Sequence, residues 1–397
     1  MKIVNIIRKF SIYAFFFSLN FETMNLFNLG ISYLSTKITI SILMLISMFS
    51  FKSFILLKND LKYLFPLFAY FIILTTISIY NSVAPFNDFF DFSFFLNILV
   101  FYLLTRYSNV YPNILLKGLL VFSISTFVLS LLYFLGIGIT DSLEGLDGRS
   151  TVFGMNQNFL GLSLCISIFT IISIVMENKL ELGKRRFVLL SLLPFMFVFL
   201  ISTGSRVAFI SLILGLFLFI YFNKSYSSVK KSTIIVASLL VFLLFSFVFL
   251  KNSLVVERLS NSVNEGDLSS RDLIWINLYN IITNNYVFGI GKTGYAMVMN
   301  SNSLFEGVPS PHNVLIEVLC YTGIVGLIIF IFFIYRILCI AYQKNKLNTE
   351  ILPLVLFIPV LGMILSGQIF DQKIAWILFA YLASNTNNSN IKYNISI

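Results

Sequence analysis

The stretch FLGLSLCISIFTIISIVM, residues 159–176, contains no charged side chain and is long enough to cross the hydrocarbon core of a membrane as a helix. Similar apolar runs recur along the whole sequence of 397 residues, of which 58% are hydrophobic and only 11% are charged. Soluble domains carry about 25% charged residues, so this composition cannot provide a water-exposed surface. The sequence therefore predicts an all-α, polytopic membrane protein with about twelve transmembrane helices.

The connections between these runs differ in charge from one side of the membrane to the other. Connections that hold lysine and arginine alternate with connections that hold aspartate and glutamate, which is the distribution that sets membrane topology. It also accounts for the net charge of +10 without a nucleic-acid surface. With the N-terminus inside, we expect a single transmembrane domain over residues 1–397 that crosses the lipid bilayer of the bacterial cytoplasmic (inner) membrane many times. The spans are expected near residues 6–21, 32–51, 61–80, 89–105, 113–136, 156–176, 186–202, 206–222, 232–250, 312–341, 351–368 and 373–386.

One connection is much longer than the others. Residues 251–311, between the ninth and tenth predicted spans, are polar and mixed in charge, and the topology places them outside as a large periplasmic loop. Loops of this length are usually functional or disordered. The stretch SRDLIWINLYNII, residues 270–282, has apolar residues at helical spacing, so we expect one or two short amphipathic helices on the outer membrane face. The asparagine-rich end of the chain, residues 387–397, is expected to be disordered.

The stretch FGIGKTGYAM, residues 288–297, contains the pattern G-x-G-x-x-G in Gly289, Gly291 and Gly294. This pattern binds nucleotides only where a strand precedes it and a helix follows it within a βαβ unit, and no such unit is visible here. Glycines that turn a surface loop are the better interpretation. Lys292, inside the pattern, remains a candidate contact for an anionic ligand.

His312 is the single histidine of the chain and lies where the large loop gives way to the tenth span. Ser310 and Pro311 fit the N-cap and first position of that helix, which would place His312 in its first turn. The helix dipole there favours the neutral imidazole, which can accept a proton. Asn313 and Glu317 are four residues apart and would share a face, and a carboxylate within a span is a candidate functional group. The alternative is a polar histidine that is tolerated at a membrane interface.

Two arginines lie at a similar depth on the predicted outer side. Arg149 is at the mouth of the sixth span, and Arg206 interrupts a nearly continuous apolar stretch between the seventh and eighth spans. A guanidinium group at such a depth needs a carboxylate partner such as Glu317 or an anionic ligand, although Arg149 could equally reach the lipid headgroups. We expect no cofactor and no metal, because one histidine and scattered carboxylates provide no ligand spacing.

Four stretches together resemble the O-antigen polymerase and O-antigen ligase superfamily in their order and spacing. They are GRSTVFGMNQNFLG (148–161), TGSRVAFISL (203–212), RDLIWINLYNIITNNYVFGIGKTGY (271–295) and PHNVLIEVLCYTGIVGLIIFI (311–331). The resemblance implies a metal-independent, inverting membrane glycosyltransferase that takes a glycan from an undecaprenyl-diphosphate carrier on the periplasmic face.

The resemblance also implies roles for individual residues. Arg149 and Arg206 correspond to arginines that bind the diphosphate, Arg271 corresponds to a further one, and His312 corresponds to a histidine that activates the acceptor. Positioning of both substrates and stabilisation of the leaving diphosphate by arginines are enough for such a transfer without a metal. The basic side chains therefore suggest a diphosphate site of Arg149, Arg206, Arg271 and Lys292, beside His312 and Glu317 as catalytic groups and Asn313 in support.

Several functions stay open at this point. The preferred interpretation is a polymerase that joins lipid-linked repeats into O-antigen or capsule, with a chain-length regulator as an additional partner. The alternative within the family is the ligase that transfers O-antigen to the lipid A core, since both enzymes use the same donor. A transporter or lipid flippase is more remote, because neither inverted repeats nor matching broken helices are visible in the two halves of the sequence.

Overall fold

The structure is a computed structural model that describes residues 2–24, 34–48, 61–81, 90–141, 150–177, 180, 182–223, 227, 229, 256, 260, 271–300, 310–348, 350–367 and 369–384. Its α-helices are α1 (Lys2–Ser18), α2 (Leu34–Met48), α3 (Leu61–Tyr80), α4 (Phe92–Val110), α5 (Ile114–Phe134), α6 (Gln157–Glu177), α7 (Arg185–Ser202), α8 (Arg206–Phe222), α9 (Arg271–Asn284), α10 (Gly291–Asn300), α11 (Val314–Asn348), α12 (Leu352–Ser366) and α13 (Lys373–Ala383). A short 3₁₀ turn, Leu19–Phe21, follows α1. Two short strands, β1 (Ile139–Asp141) and β2 (Ser150–Val152), pair antiparallel between α5 and α6.

The helices agree with the apolar runs of the sequence. Each predicted span overlaps a helix, apart from the span at 232–250, which lies outside the described residues. Among the described helices, α3, α5, α6, α7 and α11 are long and apolar enough to cross a membrane, and α2, α8, α12 and α13 are shorter but equally apolar. The helical fold class and the membrane character are therefore confirmed, with β1 and β2 as a small exception. The number of spans stays a prediction.

Helix α6 is the centre of the described bundle. Its residues are apolar on every side, which is typical of a helix buried on all faces, and 83% of its most apolar 18-residue stretch is buried. It packs against α5, α7, α8 and α12. Gly161 lets Ala208 of α8 approach so closely that an added Cβ would lie 2.6 Å from the Ala208 methyl group. On another face, the Ser167 hydroxyl donates to Thr126 of α5 at 2.8 Å, so the helix is held by close packing and by hydrogen bonds between helices.

The long helix α11 is broken at Gly323, whose backbone angles (φ 61°, ψ −160°) are not helical. Residues 285–290, which connect α9 to α10, lie against this break and are called here the docked turn. The backbone N–H of Ile324 donates to a carbonyl of the docked turn at 2.8 Å, and the N–H of Ile290 donates to the carbonyl of Cys320 at 2.9 Å. Backbone groups freed by a break within an apolar bundle need such partners. The break and the docked turn therefore form one unit.

The predicted loop at 251–311 contains α9 and α10, so the expectation of short helices in it is confirmed. Helix α10 packs against α3 and α11 and buries Tyr295 and Met299, each 1% exposed. This part of the loop is therefore integrated into the helical bundle and does not simply lie on its surface. Most of the remaining loop, and the tail at 387–397 for which disorder is expected, lie outside the described residues.

Candidate functional site

A pocket at one end of the bundle collects charged and aromatic side chains from several helices. It contains about 590 Å³ of space not filled by protein atoms, part of which is open to solvent. Because it holds three carboxylates and one ammonium group, we call it the acidic pocket. Its lining residues are Leu74 of α3, Asp91 before α4, Lys292 and Tyr295 of α10, Ser310 and Pro311 before α11, Glu317 and Tyr321 of α11, and Phe370 and Asp371 before α13.

Lys292 and Asp91 form an ion pair in the acidic pocket. The Lys292 Nζ lies 2.6 Å from Asp91 Oδ2, and the two side chains are 41% and 9% exposed. Asp91 is also the N-cap of α4, since its carboxylate accepts from the N–H of Phe94 at 3.0 Å. Burial opposes the charge on Lys292, but Asp91 and then Asp371 outweigh this effect and raise the pKa of the lysine. Lys292 is therefore a fixed cation whose nearest anion belongs to the protein.

Two of the three glycines around Lys292, Gly289 and Gly291, have a packing role. Gly289 (φ 67°) lies against the broken part of α11, where an added Cβ would be 2.6 Å from the carbonyl oxygen of Cys320. Gly291 (φ 73°) lies against α3, where an added Cβ would be 2.7 Å from Ser78 Cα. The interpretation as turn-forming glycines is confirmed by these positive φ angles, but the first two glycines face the protein interior and not a surface. Their function here is close backbone approach.

Helix α10 is attached to the end of α3 by hydrogen bonds at its first turn. The backbone N–H of Lys292 donates to the Ser78 hydroxyl at 3.1 Å, and the Thr293 hydroxyl donates to the Ser78 carbonyl at 2.9 Å. The Asn81 side chain donates to the carbonyl of Ile290 at 3.1 Å. These bonds hold the backbone at Lys292 in place, so its side chain reaches the acidic pocket from a defined position.

The start of α11 differs from the prediction. The helix begins at Val314, and Asn313 is its cap, because the Asn313 side chain accepts from the N–H groups of Leu315 at 2.9 Å and of Ile316 at 3.4 Å. Ser310 and Pro311 are therefore not the N-cap and first helical residue, and His312 is not in the first turn. The prediction of a neutral imidazole from the helix dipole loses its basis with that placement.

Glu317 is in the first turn of α11, so it lies at the start of the helix and not, as the sequence predicted, deep within the span. Its N–H donates to the carbonyl of Asn313 at 2.9 Å, and the residue is 9% exposed. A carboxylate is stabilised at this end of a helix by the orphan N–H groups and the dipole. Asn313 acts on Glu317 only through the helix that it caps. Glu317 and Lys292 are the two predicted site residues that the structure brings into one pocket.

His312 follows directly on Pro311 at the edge of the acidic pocket. Its φ of 52° lies in the left-handed region, which a non-glycine residue adopts only where the surroundings impose it. Two contacts impose it here. The Trp275 ring N–H of α9 donates to the Pro311 carbonyl at 2.9 Å. On the other side, Gly367 lies so close that an added Cβ would be 2.8 Å from His312 Cα.

Arg206 is the first residue of α8, directly after the N-cap Ser205, whose hydroxyl accepts from the N–H of Ala208. The neighbouring Val207 packs against Gly362 of α12. Gly362 lies five residues before Gly367, the residue in contact with His312, which is about 7.5 Å along a helix. Val207, next to Arg206, and His312 thus both lie against the last turns of α12 and its cap Gly367.

The structure gives no side-chain position for the other two predicted arginines, Arg149 and Arg271. Arg149 lies outside the described residues, directly before β2. Arg271 is the first residue of α9, and the structure describes its backbone and not its side chain. The role expected for Arg149 and Arg271 therefore rests on the resemblance alone.

Sequence reasoning overlooked Asp91, Asp371 and Tyr321 as site residues. The surface of Asp371 is partly open to the pocket, but the protein around its carboxyl excludes enough water to raise its pKa, with Lys292 opposing and Asp91 supporting the increase. The two aspartates each lie at the boundary of an apolar run, whereas Glu317 was singled out as a carboxylate within a predicted span. Tyr321 gave no signal, because one tyrosine within an apolar helix is common. No group of three or more metal-binding side chains is present among the described residues.

Comparison with known families gives one match. Residues 188–331 match the family model of the O-antigen ligase. This segment contains Arg206, Arg271, Lys292, His312 and Glu317, and the model describes a membrane enzyme of the O-antigen ligase or polymerase type. A search of curated proteins gives no match. The match to residues 188–331 confirms, for this segment, the resemblance to the O-antigen polymerase and O-antigen ligase superfamily; it contains three of the four sequence stretches, and the stretch at 148–161 lies outside it.

Proposed function

We propose that the protein is a polymerase that transfers a glycan from an undecaprenyl-diphosphate-linked donor to a sugar hydroxyl of another lipid-linked repeat. The observation that carries the proposal is the placement of His312 beside the acidic pocket, within the segment that matches the O-antigen ligase model. The protein acts in the cytoplasmic membrane with its site facing the periplasm. Residues 251–311 form the outer loop of a single domain, and a regulator of chain length is a further partner.

The transfer needs one bond to form and one to break. The acceptor oxygen attacks the sugar C1 from the face opposite the diphosphate, the bond between C1 and the phosphate oxygen breaks, and undecaprenyl diphosphate leaves with the bonding electrons. The acceptor hydroxyl proton goes to His312, since imidazole is the side chain best suited to accept a proton near pH 7. Glu317 and the cap Asn313 support this group from the start of α11.

Arginines stabilise the negative charge that develops on the leaving diphosphate. Guanidinium groups bind phosphate oxygens in pairs and act where charge develops, so no metal is required for this step. We assign Arg206 to this role; in its support, Arg206 is the first residue of α8, and the next residue, Val207, packs against Gly362 of α12. Arg149 and Arg271 join it by the family resemblance. Lys292 is a separate case, because Asp91 already neutralises it.

The alternative within the family is a ligase that transfers the same glycan to the lipid A core. It uses the same donor chemistry and differs only in the acceptor. A transporter or flippase is the more distant alternative. Transporters of that class have matching helix breaks in the two halves of the chain. Helix α11 is broken at Gly323, but none of the other described helices contains a residue with non-helical backbone angles.

Deletion of the gene distinguishes these functions by the surface glycan that remains. A polymerase defect leaves a single repeat on the lipopolysaccharide core, a ligase defect leaves bare core and lipid-linked polymer, and a transporter defect leaves normal glycan. In the complemented strain, His312→Ala and Arg206→Ala are expected to abolish polymer at normal protein level, whereas Arg186→Ala, an exposed residue at the start of α7, leaves it unchanged. Full-length glycan from either of the first two variants contradicts the assignment.

A further substitution separates proton transfer from positioning. His312→Gln keeps a hydrogen-bonding side chain that cannot accept the proton. If His312 is the base, the rate of transfer falls by a factor of about 10² to 10⁴, the typical contribution of general base catalysis. A loss of less than tenfold indicates that His312 only positions the acceptor.

A further inference from the structure

We infer that the acidic pocket binds the acceptor sugar through its hydroxyl groups, and that Lys292 belongs to this acceptor site and not to the diphosphate site. The inference deepens the proposed function and rests on it. It assigns a ligand to Asp91, Asp371 and Tyr321, which the transfer described above does not use.

The charge of the pocket argues against a diphosphate. Asp91, Glu317 and Asp371 surround one ammonium group, that of Lys292, and this group is 2.6 Å from the carboxylate of Asp91. A diphosphate in this place would meet two further carboxylates, and like charges at close range repel strongly where water is partly excluded. Sugar hydroxyls are neutral donors, and carboxylates are the strongest acceptors for them in a protein.

Tyr321 is a second and independent indication of a polar ligand. It lines the pocket, is only 8% exposed, and its ring packs edge-on against Tyr295 with centroids 5.4 Å apart. Its hydroxyl forms no hydrogen bond with any residue in the part of the chain that the structure describes. The hydroxyl is not among the buried polar atoms that lack a partner, so it reaches the open space of the pocket and can donate to or accept from a polar ligand there. A sugar hydroxyl in the pocket provides such a partner.

The residues that line the pocket are also of the kinds that sugar recognition requires. Besides its charged groups it is lined by apolar and aromatic residues, among them Leu74, Tyr295 and Phe370. Phe370 is held by neighbouring rings, with the ring of Tyr70 stacked on it at 5.5 Å. A pocket of fixed apolar walls with a few convergent polar groups is typical of small-molecule sites. Carboxylates that accept hydroxyl protons beside such walls fit a pyranose ring.

The position of the pocket fits an acceptor that is activated by His312. Ser310 and Pro311 line the pocket, and His312 is the next residue of the chain. Val207, the residue after Arg206, packs against Gly362, five residues before the Gly367 that contacts His312. An inverting transfer requires the acceptor and the leaving diphosphate on opposite sides of the reacting C1, so with the acceptor in the pocket we assign the diphosphate to the side of His312 away from the pocket.

The test uses the full chain in nanodiscs with lipid-linked repeat as donor. The acceptor is the strain's own repeat oligosaccharide, released from its carrier by mild acid and labelled at the reducing end. Tyr321→Phe removes only the hydroxyl and is expected to raise the KM for this oligosaccharide about tenfold, the effect of one buried hydrogen bond. The inhibition constant of undecaprenyl diphosphate should not change. The matched control is Tyr279→Phe, at a position that is 67% exposed on α9.

Lys292→Met decides between the two sites. If Lys292 belongs to the acceptor site, the Lys292→Met substitution raises the KM for the oligosaccharide, because the lysine holds the carboxylate of Asp91 in place. The inhibition constant of undecaprenyl diphosphate then stays within about twofold, because the lysine contacts no phosphate. The inference is overturned if Lys292→Met weakens undecaprenyl diphosphate more than the oligosaccharide. It is also overturned if Tyr321→Phe leaves the KM for the oligosaccharide unchanged.

Direct binding separates failure of the inference from failure of the proposed function. Titration with the free oligosaccharide is followed by tryptophan fluorescence, to which Trp275 contributes beside Pro311. Saturable binding that Tyr321→Phe weakens supports the acceptor pocket even if the wild-type protein transfers no glycan, and in that case only the polymerase assignment fails. Absence of saturable binding, in a protein that does transfer glycan to lipid-linked repeats, contradicts the acceptor pocket alone.

Discussion

Substitution of Gly289 by alanine is expected to destabilise the protein strongly, because the docked turn cannot accept a side chain at this position. The backbone of Gly289 is left-handed (φ 67°), and an added Cβ would lie 2.6 Å from backbone atoms of Cys320, Tyr321 and Thr322. Backbone atoms cannot move aside as a side-chain tip can. The docked turn would have to move away from α11 instead.

The magnitude follows from three contributions. A left-handed alanine costs about 1–2 kcal/mol. Overpacking against a rigid neighbour costs about 1–3 kcal/mol. Separation of the two backbones also weakens the hydrogen bond from Ile290 to Cys320, now 2.9 Å long, which contributes about 1 kcal/mol. A loss of about 4 kcal/mol is a large fraction of the stability of a typical domain.

Gly294→Ala is the matched control within the same short stretch. The nearest atom to an added Cβ there is the Ile290 Cβ at 3.2 Å, and Gly294 lies within α10. Alanine gains up to about 1 kcal/mol of helix propensity over glycine, which offsets the tight contact. Purified full-length variants are heated in detergent, and unfolding is followed by tryptophan fluorescence. If Gly289→Ala unfolds at the same temperature as Gly294→Ala and the wild type, close approach at the docked turn is not required.

Three further predictions concern the end of the bundle that carries the pocket. Asn313→Ala removes the cap of α11 and lowers the free energy of unfolding by about 1 kcal/mol in thermal unfolding, whereas Asn313→Asp retains the cap and the stability. Gly367→Ala places a methyl group 2.8 Å from His312 Cα at a backbone with φ of 88°, so, like Gly289→Ala, it is expected to lower the unfolding temperature, and it should also lower the rate of glycan transfer per folded protein in nanodiscs; an unchanged rate would show that His312 does not depend on this contact. Burial raises the pKa of Asp371, so the folded protein holds this proton more tightly than the unfolded chain, and the resulting stability is present at low pH and lost as the pH rises from the ordinary carboxyl range through the raised pKa. Asp371→Asn should flatten this part of the profile of unfolding temperature against pH, and an unaltered slope would assign it to another group.

The positions of the helices could be predicted from the sequence, because an apolar run long enough to cross a membrane has few alternatives. Helix α6 is the clearest case, since its sequence at 159–176 is apolar on all sides and the helix is buried on all sides. The small hairpin of β1 and β2 was missed because three-residue strands have no periodicity to detect.

The start of α11 could not be predicted correctly because two cap signals compete within four residues. Ser310 with Pro311 fits a helix start by local preference, and so does Asn313. Contacts from Trp275 and Gly367, both distant in sequence, hold the chain before Val314 in a non-helical form. Local preference was overruled by these tertiary contacts.

The pairing of site residues is likewise a property of the folded chain. Lys292 and Asp91 form an ion pair although they are 201 residues apart in the sequence. A single sequence contains nothing that predicts which distant residues will pair. What could be predicted was the type of residue: Glu317 as a carboxylate within a predicted span, and Lys292 as a cation in a glycine-rich stretch of the loop. A search for charged groups at the boundary of every apolar run would have added Asp91 and Asp371.

The break in α11 has a consequence for the order in which the chain is built. Residues 285–290 leave the ribosome before their hydrogen-bonding partners around Gly323 have been synthesised. The part of α11 after the break, 324–348, is about 37 Å long, which is enough to insert into a bilayer, whereas the part before it, 314–322, is about 14 Å long and too short to do so alone. The docked turn can therefore close only after the later part has entered the membrane. A chain that stops before Gly323 would insert its earlier helices and never form the acidic pocket.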